Sequence, residues 1–420
     1  MSSPTSTPIS RYKWYLLVLA AMTNVVVIAI PSISLSVLLP EISTDLHLSV
    51  LQVGWVWGIN SLPALFMGLI GGSFGDRLGP KRLLIVSCLL AGLLGGLRGI
   101  ATSYQTLLVM SLLYGVLTPV INMNNWKVAS MWFSSAELGL ASGVLSMGMG
   151  SGFLIGSAIS ATLISPWLGG WQYVFFFYGA ISIVFAVFWF FTRVTPYTDS
   201  KQVAVSESGK GSIIGGISQI AKIKTLWFLG LSVMTVMGAN QGLAGYLPLF
   251  LQSTGWTEAG ASAALGIYNA VSAVFVLPIA LWSDRLGSRK KIMIGAVVFI
   301  IAGMGMLSFV TGGLIWAAVI IGGFVRDGFM AVLMTSAIET KGVGQKYAGT
   351  ATGFIMTFIG VGNLLAPPLG NYFARYTPGA PFLFWTGLAI FGILCITQTA
   401  GSRASDNQLA MESAFPEGQD

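Results

Sequence analysis

A charged octapeptide, GDRLGPKR at 75–82, returns as SDRLGSRK at 283–290, so Asp76 and Asp284 stand 284 − 76 = 208 residues apart, about half the chain. Each copy sits on a short turn between two long apolar runs. A span of about 20 apolar residues matches the hydrocarbon thickness of a bilayer. Inside lipid every backbone donor and acceptor must be satisfied internally, which leaves helices as the solution for runs of this length. The same turn at the same place in two halves therefore predicts a duplicated helical membrane protein.

Composition agrees with that constraint. The chain is 55% hydrophobic and 8% charged, against roughly 25% charged residues in a soluble domain. Its 53 glycines suit helices that approach closely in lipid. The net charge of +7 does not read as a nucleic-acid signal, because Lys and Arg crowd into alternate loops. Arg11, Lys13, Arg77, Lys81, Arg82, Arg285 and Lys290 fall on one side, while Glu41, Asp45 and Glu258 fall on the other. By the positive-inside rule, both termini and the basic loops are expected in the cytoplasm of a multi-pass inner-membrane protein. Cys88 and Cys395 lie in apolar runs without ligand spacing and read as buried small hydrophobes. The first run, 14–39, is too long for a cleavable signal core and reads as the first span.

Spans are predicted near 14–39, 51–75, 82–101, 104–125, 138–164 and 171–192, then near 225–251, 258–282, 291–310, 313–336, 347–372 and 380–400. This makes an N-terminal bundle over 1–192, a cytoplasmic linker over 193–224, a C-terminal bundle over 225–400 and a tail over 401–420. The halves match beyond the charged turns. Leu39-Pro40 corresponds to Leu247-Pro248, Gly58-Ile59 to Gly266-Ile267, and ELGLASGV at 137–144 to YAGTATGF at 347–354. Six spans per half give both halves one orientation, a parallel repeat.

On these residues the chain resembles the major facilitator superfamily over nearly its full length. Gly72, Asp76, Arg77, Gly79, Lys81 and Arg82 fill that family's signature between its second and third helices, and Asp284, Arg285, Gly287, Arg289 and Lys290 keep most of the second copy. The resemblance implies an all-α membrane protein of twelve transmembrane helices in two pseudo-symmetric six-helix bundles. It also implies a cytoplasmic gate built from Gly72, Asp76, Arg77, Arg82, Asp284, Arg285 and Lys290, with the two aspartates against helix N-termini, whose partial charge is positive. The small-residue face of the fifth helix, Gly148, Gly152 and Gly156, is expected to meet a helix of the opposite half. The fourth-helix Arg of many proton-coupled members is replaced here by Met110, so proton coupling does not carry over on that residue.

Polar groups at membrane depth narrow the function. Arg326 and Asp327 lie about 13 residues, hence roughly 20 Å, into the tenth span, where ionisable groups mark a substrate or ion path by default. Neighbours on a helix point about 100° apart, so the two need not face each other. Arg326 is expected to meet an anionic substrate, and Asp327 is a candidate for coupling. Arg98, near the outer end of the third span, reads as a snorkelling interfacial anchor. Asn122 and Asn125 share a face with Trp126 by their spacing. Asn24, Asn240, Gln241, Asn60 and Tyr268 complete the expected substrate-binding set, though any single Asn could equally be interhelical glue. In the family, helices 1, 4, 7 and 10 line the cavity, which places Asn24, Asn122, Asn240, Gln241 and Arg326 well.

Enzyme chemistry finds little footing. The single histidine, His47, has no nucleophile or ligand cluster around it, and no phosphate-cradling Gly-Lys-Ser loop occurs. The expectation is a secondary transporter working by alternating access on a small organic or inorganic anion, by symport or exchange, loosely like monocarboxylate, cyanate and nitrate-type porters. A proton-coupled exporter of amphipathic drugs is the alternative, and a non-transporting sensor on the same fold a third. The expected partners are a small anionic molecule, a coupling proton and the lipid bilayer. The chain is expected to act as a monomer without cofactor, metal or nucleic acid.

Overall fold

The computed structural model describes residues 8–63, 65–66, 79–194, 218–286 and 288–399. Helix α1 runs Pro8–Thr23, passes through a π-helical stretch at Asn24–Ala29 and resumes over Ile30–Asp45. The others are α2 (Val50–Gly58), α3 (Pro80–Leu97), α4 (Tyr104–Trp132), α5 (Ser135–Ile159) and α6 (Trp171–Phe191). The second set is α7 (Lys224–Ser253), α8 (Glu258–Leu286), α9 (Arg289–Met306), α10 (Leu314–Gly323, then Arg326–Glu339), α11 (Gly344–Tyr372) and α12 (Ala380–Thr397). Among the described residues nine helical runs are long and apolar enough to cross a membrane, and no strand occurs.

Contacts divide the chain into two compact units, Met1–Ser206 with Leu251–Gly266, and Glu207–Phe250 with Ile267–Asp420. The end of α7 and the start of α8 thus group with the first unit and not with the rest of the second half.

The first unit is organised around the break in α1. Pro31 has no N–H to give to the carbonyl four residues back. That orphan, Val27 O, instead accepts from the phenol of Tyr114 on α4 at 2.9 Å. Beside it, Trp189 Nε1 on α6 donates to Thr23 Oγ1 at 3.0 Å. The π-helical stretch is therefore held by side chains from two other helices, consistent with the rule that backbone groups freed at a proline are re-satisfied by neighbours.

The glycine face of α5 packs on α1, inside its own unit, and so corrects the expectation of a partner from the opposite half. A Cβ on Gly152 would stand 2.6 Å from that of Ala29, and one on Gly156 would stand 2.6 Å from Ile33 Cγ2. Only residues without a side chain allow that approach. The second unit repeats the arrangement with α11 on α7, where a Cβ on Gly238 would stand 2.7 Å from Gly362 O. Helix-5 glycines are spaced for close packing, but spacing alone says nothing of which helix they meet.

Candidate functional site

The charged pair lies in the second unit at an interruption of α10. The helix stops at Gly323, turns through Phe324 and Val325, and restarts at Arg326. Continuity was expected over 313–336, and the turn instead makes Arg326 and Asp327 the first two residues of a new half-helix. Backbone N–H groups at such a start lack intrahelical partners. One is met from outside: Asp327 N donates to Ser272 Oγ of α8 at 3.1 Å.

The two side chains pair with each other, although neighbours about 100° apart on a helix need not. Arg326 Nε donates to Asp327 Oδ1 at 3.0 Å and Nη2 to Oδ2 at 3.3 Å. A long guanidinium stem can fold back across the roughly 100° offset between neighbouring residues. Arg326 Nη1 donates to Asn269 Oδ1 at 2.9 Å, and the guanidinium lies 5.1 Å from the Tyr268 ring. Tyr268 in turn gives its phenol proton to Asn240 Oδ1, and Asn240 Nδ2 donates to Val236 O at 2.7 Å. A polar chain therefore runs from α7 through α8 to α10.

Burial sorts these residues. Tyr268, Asn269 and Asn240 are buried, whereas the Asp327 side chain is 39% exposed against 15% for Arg326. Gln241, beside Asn240, is half-buried. The arrangement can present a guanidinium on a largely neutral, hydrogen-bonding wall. Ser272 is the member that reading the sequence missed. Its spacing from Tyr268 and Asn269 places it on their face of α8, a signal that was available.

The expected residues of the first unit separate into two layers. Asn24 and Asn125 are fully buried and joined to each other, Asn125 Nδ2 to Asn24 Oδ1 at 2.7 Å, and Asn24 Nδ2 reaches Leu145 O at 3.4 Å. Asn122 is half-buried and accepts from Trp126 Nε1 at 3.1 Å. Asn60 is half-buried at the 3-10 turn that ends α2 and donates to Val56 O and Trp57 O at 3.4 Å each. The shared face of Asn122, Asn125 and Trp126 is thus divided, with Asn125 turned inward.

Arg98 corrects its expected role as an interfacial anchor. It is 1% exposed, with its guanidinium 4.2 Å from the Tyr114 ring and 4.4 Å from that of Phe175. Its Nε donates to Gly95 O and its Nη2 to Pro31 O at 3.3 Å. Position near the end of a span suggested snorkelling, but α4 and α6 close over the side chain first.

Of the expected gate, Gly72, Asp76 and Arg77 lie outside the described residues, as does the side chain of Asp284. Arg82 and Arg285 are exposed at the start of α3 and the end of α8. Lys290 binds carbonyls at and just after the end of α12, Thr397 O at 2.6 Å and Thr399 O at 2.8 Å. A cation at orphaned helix carbonyls is favoured by the dipole. Arg289 grips Glu339 at the end of α10 through Nε at 2.6 Å and Nη2 at 2.8 Å.

A cavity of about 730 Å³ in the first unit is lined by Glu41, Asp45, Glu258, Trp171 and Gln172 among others. Two of its carboxylates are engaged at or just before the start of α6, Glu41 by Ser165 Oγ and Trp171 N, Asp45 by Trp171 Nε1 and Gln172 Nε2. Three acids make it a poor seat for an anion. Among the described residues no three of His, Cys, Asp and Glu gather as metal ligands do.

A family model described as "Major Facilitator Superfamily" matches residues 17–367 and 253–413. The chain belongs to the Major Facilitator Superfamily. Among its superfamily relatives, a probable sulfoacetate transporter, SauU of Cupriavidus necator, is 27% identical over 91% of this chain and 93% of that protein. A hexuronate transporter of Bacillus subtilis is 23% identical over 86% of this chain and 89% of its own. A crystal structure of the nucleoside transporter NupG superposes with a TM-score of 0.78 at 15% identity, over 91% of this chain and 99% of that one. The last likeness concerns the fold alone. As a superfamily member the protein is a multi-pass membrane transporter, a secondary transporter of the alternating-access kind.

Proposed function

We propose that this protein carries a small organic anion with a carboxylate or sulfonate group across the inner membrane, by symport or exchange. The observation that carries the reading is the Arg326 guanidinium, set at the restart of α10 in mid-span and braced by Asn269 and Tyr268. Arginine presents a rigid fork that matches two oxygens of a carboxylate or sulfonate. An ionisable group at this depth is costly unless it serves a pathway. Sulfoacetate and hexuronates, the cargoes named for two relatives, both carry such acids.

In this reading Arg326 takes the acid and the half-buried Gln241 adds a neutral contact, while the buried Tyr268 braces the guanidinium. In the first unit the half-buried Asn122 and Asn60 are the polar groups left for a cargo. Asn24, Asn125 and Asn240 act one layer behind by fixing their neighbours. The paired DRLG turns serve as the cytoplasmic gate, with both termini on that side, and the protein works as a monomer.

Uptake of labelled sulfoacetate and glucuronate into cells expressing the protein tests the reading. Arg326→Gln and Arg326→Lys should both lose uptake, Lys because it lacks the fork. Uptake that survives Arg326→Gln would overturn it. Resistance to lipophilic cations without uptake of either anion would favour the drug-export alternative.

A further inference from the structure

Three of the five N–H donors of Arg326 are already committed. Its Nε–Nη2 edge holds both oxygens of Asp327, and Nη1 holds Asn269 Oδ1. A carboxylate or sulfonate can bind a guanidinium bidentately on its side edge or on its end. Here the side edge is filled by Asp327, and the end is half filled by Asn269. A two-pronged acid therefore cannot seat on Arg326 without displacing a ligand.

The two ligands differ in how readily they leave. Asn269 is 4% exposed. The Asp327 side chain is 39% exposed, and Ser272, which also faces its carboxylate, pins its backbone N–H through Oγ. The carboxylate can rotate away about its own side-chain bonds while the half-helix stays in place.

We propose that Asp327 is a built-in competitor for the anion seat: its carboxylate occupies the Arg326 fork in the empty protein, and the acid group of the cargo displaces it. This rests on the reading of Arg326 as the anion-binding group. It assigns Asp327 the role of setting affinity. An acid that bound the free fork outright would be held too firmly for release, whereas exchange of one carboxylate for another nearly balances the hydrogen bonds lost and gained. The arrangement also favours cargo that presents two acid oxygens on one face, since a single-oxygen contact does not replace both bonds to Asp327.

The opposite role is a structural one, in which Asp327 orients Arg326 for the cargo. The two roles predict opposite signs. Binding of sulfoacetate and glucuronate to purified full-length protein, by calorimetry, should tighten in Asp327→Asn, which keeps the shape and removes the charge. The expected fall in Kd is roughly ten- to a hundredfold, the size of a charged hydrogen-bonding contact. Asp327→Ser should tighten in the same direction, and adding Arg326→Gln to Asp327→Asn should abolish binding.

Wild-type binding with an equal or weaker Kd in both Asp327 variants overturns the competitor role and leaves the anion reading standing. No binding of either anion to wild type or variant overturns both. Binding seen only in the variants supports competition strong enough to mask the seat. If neither variant folds, the pair is structural and the proposal fails.

Discussion

The guanidinium of Arg98 stacks 4.2 Å from the Tyr114 ring centroid, and the two residues together serve the broken first helix: Tyr114 caps Val27 O while Arg98 caps Pro31 O. The Phe175 ring lies 4.4 Å from the same guanidinium. No carboxylate pairs with Arg98 among the described residues. The charge is met by carbonyls and ring faces, contacts worth about 2 kcal/mol or more each when desolvated. Arg98→Met should cost about 1–3 kcal/mol, the worth of a hydrogen bond from a charged group, although Ser34 Oγ still donates to the Pro31 carbonyl at 3.1 Å. Arg98→Lys should cost more, because a compact ammonium cannot stack between two rings and reach the carbonyl as well. Thermal unfolding in detergent measures both, and an unaffected Lys variant would restore the interfacial-anchor reading.

The glycines of α5 divide into those that touch α1 and those that touch nothing. Gly156→Val should destabilise by about 1–3 kcal/mol, since overpacking forces the helices apart where Ile30 and Ile33 already crowd the position. Gly139 and Gly143 have no atom within 4 Å of an added Cβ. Their Ala variants should be neutral or up to about 1 kcal/mol more stable, from helix propensity. Melting temperatures of the three variants side by side decide the matter.

The Asn24–Asn125 hydrogen bond joins α1 to α4 in a buried setting. A double-mutant cycle with Asn24→Ala and Asn125→Ala should return a coupling of about 0.6 kcal/mol, with about 1.7 as the upper end for such bonds in membranes. Zero coupling would mean that the pair is not formed in the folded protein.

Arg289 and Glu339 form a two-pronged ion pair at 2.6 and 2.8 Å, with Glu339 35% exposed. Partial solvent access limits such a pair to roughly 1 kcal/mol or less. Glu339→Gln should lower stability by that amount, and the difference from wild type should shrink as salt rises from low to molar concentration. Unfolding followed across a salt series provides the check.

Several features were readable because they follow from local chemistry. Runs of apolar residues as long as 14–39 and 171–192 can only be helices in lipid, and the two DRLG turns marked the duplication without any contact information. Depth along a span was equally legible, which is why Arg326 and Asp327 stood out. Asn24 and Asn125 were also found, but not the bond between them, since one lies on α1 and the other on α4.

The amino-acid sequence by itself determined the all-α membrane class, the repeat of its two halves and the loops that carry charge. These depend on hydrophobic length and residue order, which are properties of the chain. The tertiary structure alone decided who meets whom: Arg98 between two aromatic rings rather than at the interface, the α5 glycines on α1 rather than on the other half, and Arg326 closed on Asp327. Side-chain partners depend on which helices are adjacent, how each is rotated and where each one breaks. A helical period fixes only the angle between residues on one cylinder. It leaves open what the neighbouring cylinder brings to that face.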